Sequence, residues 1–194
     1  MIFWFIVKSI IWFLYKLVFQ VKIEGVKNIP KQGGALICPN HVHFLDGPLV
    51  VVALNRRVNT MSKAEAFKPA LLGWLMKKMG CFPVQRDKRD FGSLKKCITM
   101  LKKGELVTVF PEGTRNGLEK GKKLGKGAAF LLMSAKVPLI PVGITGKYKP
   151  FGKLKIKFGE PVSFEEFYGM EKDKEVYEKV NEKLLLNIQN QLTN

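Results

Sequence analysis

Histidine is nearly absent from this chain: 194 residues contain only His41 and His43. A histidine-rich metal centre therefore lacks a third imidazole. The dinuclear metallohydrolase pattern H-x-H-x-D-H also fails, because Leu45 stands where it needs Asp and Asp46 where it needs His. Neither a metal nor another cofactor is expected. Cysteine is scarce as well. Cys38, Cys81 and Cys97 lie far apart, form no C-x-x-C pair and make no even-numbered disulfide set, which suits a reducing, cytosolic compartment. No G-x-x-x-x-G-K-[ST] run occurs, so the glycines and lysines between Gly121 and Gly127 do not make a nucleotide P-loop. Internal repeats and low-complexity linkers are missing too.

Acidic residues are few. Sixteen Asp and Glu face 33 Lys and Arg, a net charge of +17 that gathers anionic partners. Nucleic acid, anionic lipid surfaces and phosphorylated substrates all qualify on charge alone. The composition is otherwise globular, with 46% hydrophobic and 25% charged residues.

A spanning helix needs about 20 mostly apolar residues, and Met1 to Phe19 is interrupted by Lys8, Ser9 and Lys16. No small-residue cleavage site follows, so the segment is expected to be retained. At helical spacing Lys8, Ser9, Tyr15, Lys16 and Gln20 fall on one side, and Ile2, Ile6, Ile10, Phe13 and Leu17 lie largely opposite. This predicts an amphipathic helix over residues 1–20 lying in a membrane interface, with residues 21–194 forming one domain.

Beyond Gln20, short β-prone runs (Val21–Ile23, Ala35–Cys38, Val58–Met61, Cys81–Val84, Leu106–Phe110, Leu139–Ile144 and Leu154–Phe158) recur, with helix-like stretches between several of them. The alternation predicts an α/β domain with a largely parallel mixed sheet flanked by helices. A charged helix is predicted over Ser163 to Gln191.

In such sheets, function collects at the carboxyl ends of strands. The buried-looking run Leu36-Ile37-Cys38 ends in Pro39-Asn40-His41-Val42-His43-Phe44-Leu45-Asp46. His41 and Asp46 fall close enough for carboxylate and imidazole to hydrogen-bond, leaving the other ring nitrogen free to take a proton from a hydroxyl. After Leu106–Phe110 comes Pro111-Glu112-Gly113-Thr114-Arg115: the glycine lets backbone approach a ligand, and the arginine offers a fork matched to phosphate oxygens. Arg86 and Lys63 fall at two further strand ends, and basic groups converging there make an anion site.

Together these loops resemble the glycerolipid acyltransferases, specifically the 1-acylglycerol-3-phosphate O-acyltransferases. The family's N-H-x-x-x-x-D block is matched by Asn40, His41 and Asp46, and its G-x-x-x-x-x-R block by Gly80 and Arg86. Its F-P-E-G-T-R block is matched by Phe110 through Arg115, and an apolar-proline block by Val137 to Val142. His43 departs from the pattern, standing where a small hydroxyl residue is frequent.

The resemblance implies transfer of a fatty acyl group from a thioester, acyl-CoA or acyl-carrier protein, to the sn-2 hydroxyl of lysophosphatidic acid in phospholipid biosynthesis. His41 and Asp46 would be catalytic. Lys63, Arg86, Glu112, Gly113, Thr114 and Arg115 would bind substrate, the role of Glu112 resting on the resemblance alone. Backbone N–H groups near the Asn40 loop or at Gly113 are candidates for stabilising the oxyanion. The basic loop around Gly121 to Gly127 suits anionic lipid or acyl-carrier protein, or plain solvent. The expected location is the cytoplasmic face of a cell membrane, as a monotopic or peripheral protein, with an anionic membrane surface and no nucleic acid as partner. Rival readings are the same chemistry on glycerol 3-phosphate or a lyso-aminolipid, and a noncatalytic basic module binding membrane or nucleic acid.

Overall fold

The computed structural model describes residues 2–85, 90–171 and 173–193. Arg86, singled out above, lies outside them. Among the described residues seven strands form one sheet: β1 (Gln20–Glu24), β2 (Ala35–Pro39), β3 (Val58–Lys63), β4 (Cys81–Val84), β5 (Leu106–Thr108), β6 (Leu139–Gly146) and β7 (Lys153–Phe158). Their order across the sheet is β1-β7-β6-β2-β5-β3-β4. All neighbours run parallel except β6 and β7. This is the predicted α/β domain.

Among the described residues six α-helices flank the sheet: α1 (Ile2–Val18), α2 (Asp46–Ala53), α3 (Ala70–Lys78), α4 (Phe91–Lys102), α5 (Lys126–Ala135) and α6 (Lys174–Leu192). Covered on both faces, the central strands read as continuous apolar runs: Ala35 to Cys38 in β2 and Leu139 to Ile144 in β6 are buried throughout. One core layer unites Trp4 and Tyr15 of α1 with Leu49 to Ala53 of α2, and Leu75 of α3 packs against it. On the other face Cys97, Leu131 and Leu184 bring α4, α5 and α6 together.

The last helix is shorter than predicted. Asp173 accepts a hydrogen bond from the Val176 N–H at 2.8 Å and caps α6. Among the described residues of the charged stretch before it, a short 3-10 turn forms over Glu165–Phe167.

Among the described residues no helix is long and apolar enough to cross a membrane. In α1 the predicted polar side is divided: Ser9 and Lys16 are exposed, while the inward side carries Trp4, Val7, Ile11 and Trp12 together with Lys8 and Tyr15. Tyr15 is turned inward and Lys8 donates to the Leu54 carbonyl at 2.5 Å, whereas Ile2, Ile6, Ile10, Phe13 and Leu17 are exposed.

Candidate active site

Because β2 to β6 all point the same way, five carboxyl-terminal strand ends share one edge of the sheet. His41 follows β2, Lys63 closes β3, Glu112 and Arg115 follow β5, and Tyr148 follows β6. The loop after β2 is pinned before it reaches His41. The Asn40 side chain donates to the Ile144 carbonyl at 2.9 Å and accepts from the Ile144 N–H at 2.6 Å, extending the β2–β6 ladder by one side chain.

His41 Nδ1 lies 2.8 Å from Asp46 Oδ2, which holds the ring through one nitrogen. The same oxygen accepts from the backbone N–H groups of Val42 and His43, each at 2.7 Å. Asp46 Oδ1 accepts from the Tyr148 hydroxyl at 2.6 Å. Asp46 is completely buried, so these four donors replace the water its charge would otherwise need. Burial, together with the neighbouring Asp46 charge, pushes the Tyr148 phenol well above its ordinary range, so it remains a proton donor at every physiological pH.

Glu112 is also buried. Its Oε1 accepts from the His41 N–H at 2.6 Å and its Oε2 from the Leu118 N–H at 2.9 Å. It therefore ties the histidine loop to the loop after β5, and the Asn116 N–H strengthens the tie by donating to the His41 carbonyl at 2.6 Å. The Asn40 N–H goes to Val142, and the Gly113 N–H goes to Phe110. The backbone N–H groups proposed as oxyanion donors, from Asn40 to His43 and at Gly113, are thus committed to holding the loops.

Sequence reasoning missed Tyr148 and Tyr15. The Tyr15 hydroxyl donates to the Leu45 carbonyl at 2.6 Å, joining α1 to the residue before Asp46. Tyr148 also stacks on His43, with centroids 4.3 Å apart. The one available signal for Tyr148 was its place after an apolar strand; nothing local links it to Asp46.

Two cavities meet at His41. The first, about 560 Å³, is largely apolar and is lined by Phe44, Leu45, Met61, Leu75 and Phe110, with Lys63 and Arg115 also on its wall. Arg115 is exposed, and Lys63 pairs with Glu65 at 3.1 Å. Gly113, at φ 64, makes the left-handed turn that precedes Arg115, and Thr114 is half-buried. Gly80 opens the G-x-x-x-x-x-R block with φ 94, and a Cβ there would meet the Val58 carbonyl oxygen at 2.6 Å. The second cavity, about 510 Å³, is lined by Asn40, His43, Asn116, Thr145, Lys147 and Tyr148.

Chemically, the ring nitrogen opposite the carboxylate is a base placed beside an apolar chamber with cationic groups on its wall. Cys81 also lines that chamber, but burial pushes its thiol up to about 11, which keeps it from acting as a thiolate nucleophile. Among the described residues no group of histidine, cysteine and carboxylate side chains could hold a metal ion.

Residues 20–145 match the family model described as Acyltransferase. The chain is 33% identical over 154 residues to a 1-acyl-sn-glycerol-3-phosphate acyltransferase of Bacillus subtilis, covering 76% of each protein. It is 34% identical over 142 residues to the chloroplastic 1-acyl-sn-glycerol-3-phosphate acyltransferase LPAT1 of Arabidopsis thaliana, covering 69% of this chain and 39% of the plant protein. The fold is similar to that of the 1-acyl-sn-glycerophosphate acyltransferase PlsC from Thermotoga maritima, with a TM-score of 0.73 and 25% identity, over 98% of this chain and 80% of the other. Motif blocks, fold similarity and relatives agree: the chain belongs to the acyltransferase family.

Proposed function

We propose that the protein moves a fatty acyl group from a thioester, acyl-CoA or acyl-carrier protein, to the free sn-2 hydroxyl of lysophosphatidic acid, making phosphatidic acid for phospholipid biosynthesis. The observation that carries this reading is the junction at His41, where a carboxylate-held imidazole meets an apolar chamber bearing Arg115 and Lys63. His41 takes the hydroxyl proton as the oxygen attacks the thioester carbonyl. Asp46 steadies the imidazolium, and the proton then passes to the departing sulfur as the C–S bond breaks. The acceptor's phosphate pairs with Arg115, Lys63 and Arg86, and its apolar chain uses the chamber. Glu112 serves this site by fixing the His41 backbone, and Gly113 and Thr114 by presenting Arg115.

The test is acyl transfer from a radiolabelled acyl thioester to lysophosphatidic acid, to glycerol 3-phosphate and to a phosphate-free monoacylglycerol. Lysophosphatidic acid is expected to be the best acceptor. Arg115→Ala should raise its KM by about tenfold or more, the worth of a charge-assisted hydrogen bond, and leave the phosphate-free acceptor unaffected. Equal weakening toward both acceptors would remove Arg115 from phosphate binding.

The reading also seats the protein on the cytoplasmic face of a cell membrane. Support comes from the exposed row Ile6, Ile10, Phe13 and Leu17 of α1, and from Leu71 and Trp74 of α3, with Phe3 and Trp74 in edge contact at 5.4 Å. The lysine excess favours anionic headgroups. Deleting α1 would strip Trp4 and Tyr15 from the core, so substitution is the cleaner test. Burying an apolar side chain is worth about 1.5–3 kcal/mol, so Ile10→Ser, Phe13→Ser and Leu17→Ser combined should weaken cosedimentation with anionic vesicles about a hundredfold or more. Undiminished pelleting of the folded variant would mean that another surface docks.

A further inference from the structure

Transfer at His41 requires three groups to leave the reaction centre in different directions: the acyl chain, the acceptor's phosphate, and the thiol with its carrier. The apolar chamber suits the first, and Lys63 and Arg115 on its wall draw the second to the same side. The second cavity also reaches His41 and is not used by this scheme. Asn40, Asn116, Thr145 and Tyr148 set amide and hydroxyl groups into a wall otherwise built largely from apolar surface, including Val42, Leu118, Ile144 and Leu192, and Glu112 and Glu119 also border it.

The segments forming its walls continue into lysine-rich stretches. The wall containing Leu118 and Glu119 leads to Lys120, Lys122, Lys123 and Lys126, and the wall from Thr145 to Tyr148 carries Lys147 and leads to Lys149 and Lys153. All seven lysines are exposed, and among the described residues none of them takes part in an ion pair. A slot of mixed apolar, amide and hydroxyl surface whose walls lead to lysines fits a ligand that is uncharged and amide-bearing near the reacting carbon and anionic farther out.

We propose that this cavity is the thioester donor's site: it takes the pantetheine arm common to acyl-CoA and acyl-carrier protein, and the two lysine stretches meet the anionic carrier at the arm's far end. The site rests on the acyltransferase reading above. It gives the substrates separate cavities that share His41, with the acceptor and apolar chain in the first and the leaving thiol in the second. The C–S bond breaks at the junction, and the thiol departs through the second cavity carrying the proton that His41 returns.

The experiment uses the full chain and three donors bearing the same acyl group: acyl-CoA, acyl-carrier protein, and acyl-pantetheine, which keeps the arm and lacks the phosphates. Lys122→Glu with Lys147→Glu should raise the KM for the two anionic donors by about tenfold, as expected for reversed charge at a binding rim. The KM for acyl-pantetheine and for the lysophospholipid should stay within twofold of wild type, by the same reasoning. Whichever anionic donor loses more identifies the carrier.

Thr145→Phe, which narrows the cavity, should raise the KM for all three donors and leave the acceptor's KM unchanged. A rise in the acceptor's KM instead, or unchanged donor KM values in both variants, would overturn the proposal. Calorimetric binding of coenzyme A and of pantetheinylated acyl-carrier protein gives a readout independent of turnover. Lys147-dependent binding without acyl transfer would uphold the donor site while the acceptor reading fails; binding of neither would overturn the donor site itself.

Discussion

With His41 replaced by alanine, acyl transfer is expected to fall by about 10²–10⁴-fold, the usual worth of a positioned general base. A hydroxyl is a poor nucleophile until its proton is removed during attack, and among the described residues the acidic groups beside His41 are committed elsewhere. Asp46 is fully buried behind the imidazole, and Glu112 spends both oxygens on backbone N–H groups. Burial holds the Cys81 thiol in its protonated form, and His43 is stacked on Tyr148. The fold should survive, because the His41 ring packs chiefly against Phe110, at 4.2 Å, at the edge of the cavities. Turnover and thermal unfolding measured together test this. A folded alanine variant retaining more than a tenth of wild-type turnover would require another base.

Asp46 separates charge from hydrogen bonding, and two substitutions distinguish them. In Asp46→Asn the amide oxygen can keep the three donors now held by Oδ2: His41 Nδ1 and the N–H groups of Val42 and His43. The new NH₂ then faces Tyr148, whose hydroxyl can turn from donor to acceptor. The loop should fold with little loss of stability, but the imidazolium formed during transfer loses its counter-charge. Turnover is expected to drop on the order of 10²–10⁴-fold with the acceptor's KM little changed.

Asp46→Ala removes the acceptor altogether. Leaving the Val42 and His43 N–H groups unpaired costs about 1–3 kcal/mol each, so this variant should be inactive and should also melt at a lower temperature. Kinetics and a melting curve on both variants decide the matter. Wild-type turnover in the asparagine protein would eliminate Asp46 from the mechanism, and an unchanged melting point in the alanine protein would show that the two N–H groups find other acceptors.

The features legible in the amino-acid order are those carried by short-range spacing. Apolar runs alternating with helix-like segments announced the α/β sheet because strand and helix periodicities are written over a few consecutive residues. His41 and Asp46, five residues apart, were legible as a pair because one loop and one helical turn bring them together. The exposed apolar row of α1 was readable for the same reason, but its inward side was not, since Trp4, Val7, Ile11 and Trp12 pack there beside Tyr15. Periodicity overran at Ser163, where charged residues suited a helix but Asp173 supplied the actual cap.

The rest depended on which strands became neighbours. Glu112 and Tyr148 reach the dyad across 71 and 102 residues, because the sheet order sets β5 and β6 on either side of β2. No local pattern encodes that order; it follows from covering both faces of the sheet with helices and burying the central strands. The same packing chose which side of α1 turned inward, seating Tyr15 on Leu45 and leaving Ile6, Ile10 and Phe13 exposed. The sequence therefore determined the proposed kind of chemistry, since His41, Asp46, Lys63 and Arg115, the residues proposed to carry it, lie in short motifs. Tertiary packing determined what holds that chemistry in place, because buried hydrogen bonds between distant strand ends exist only once the layers have closed.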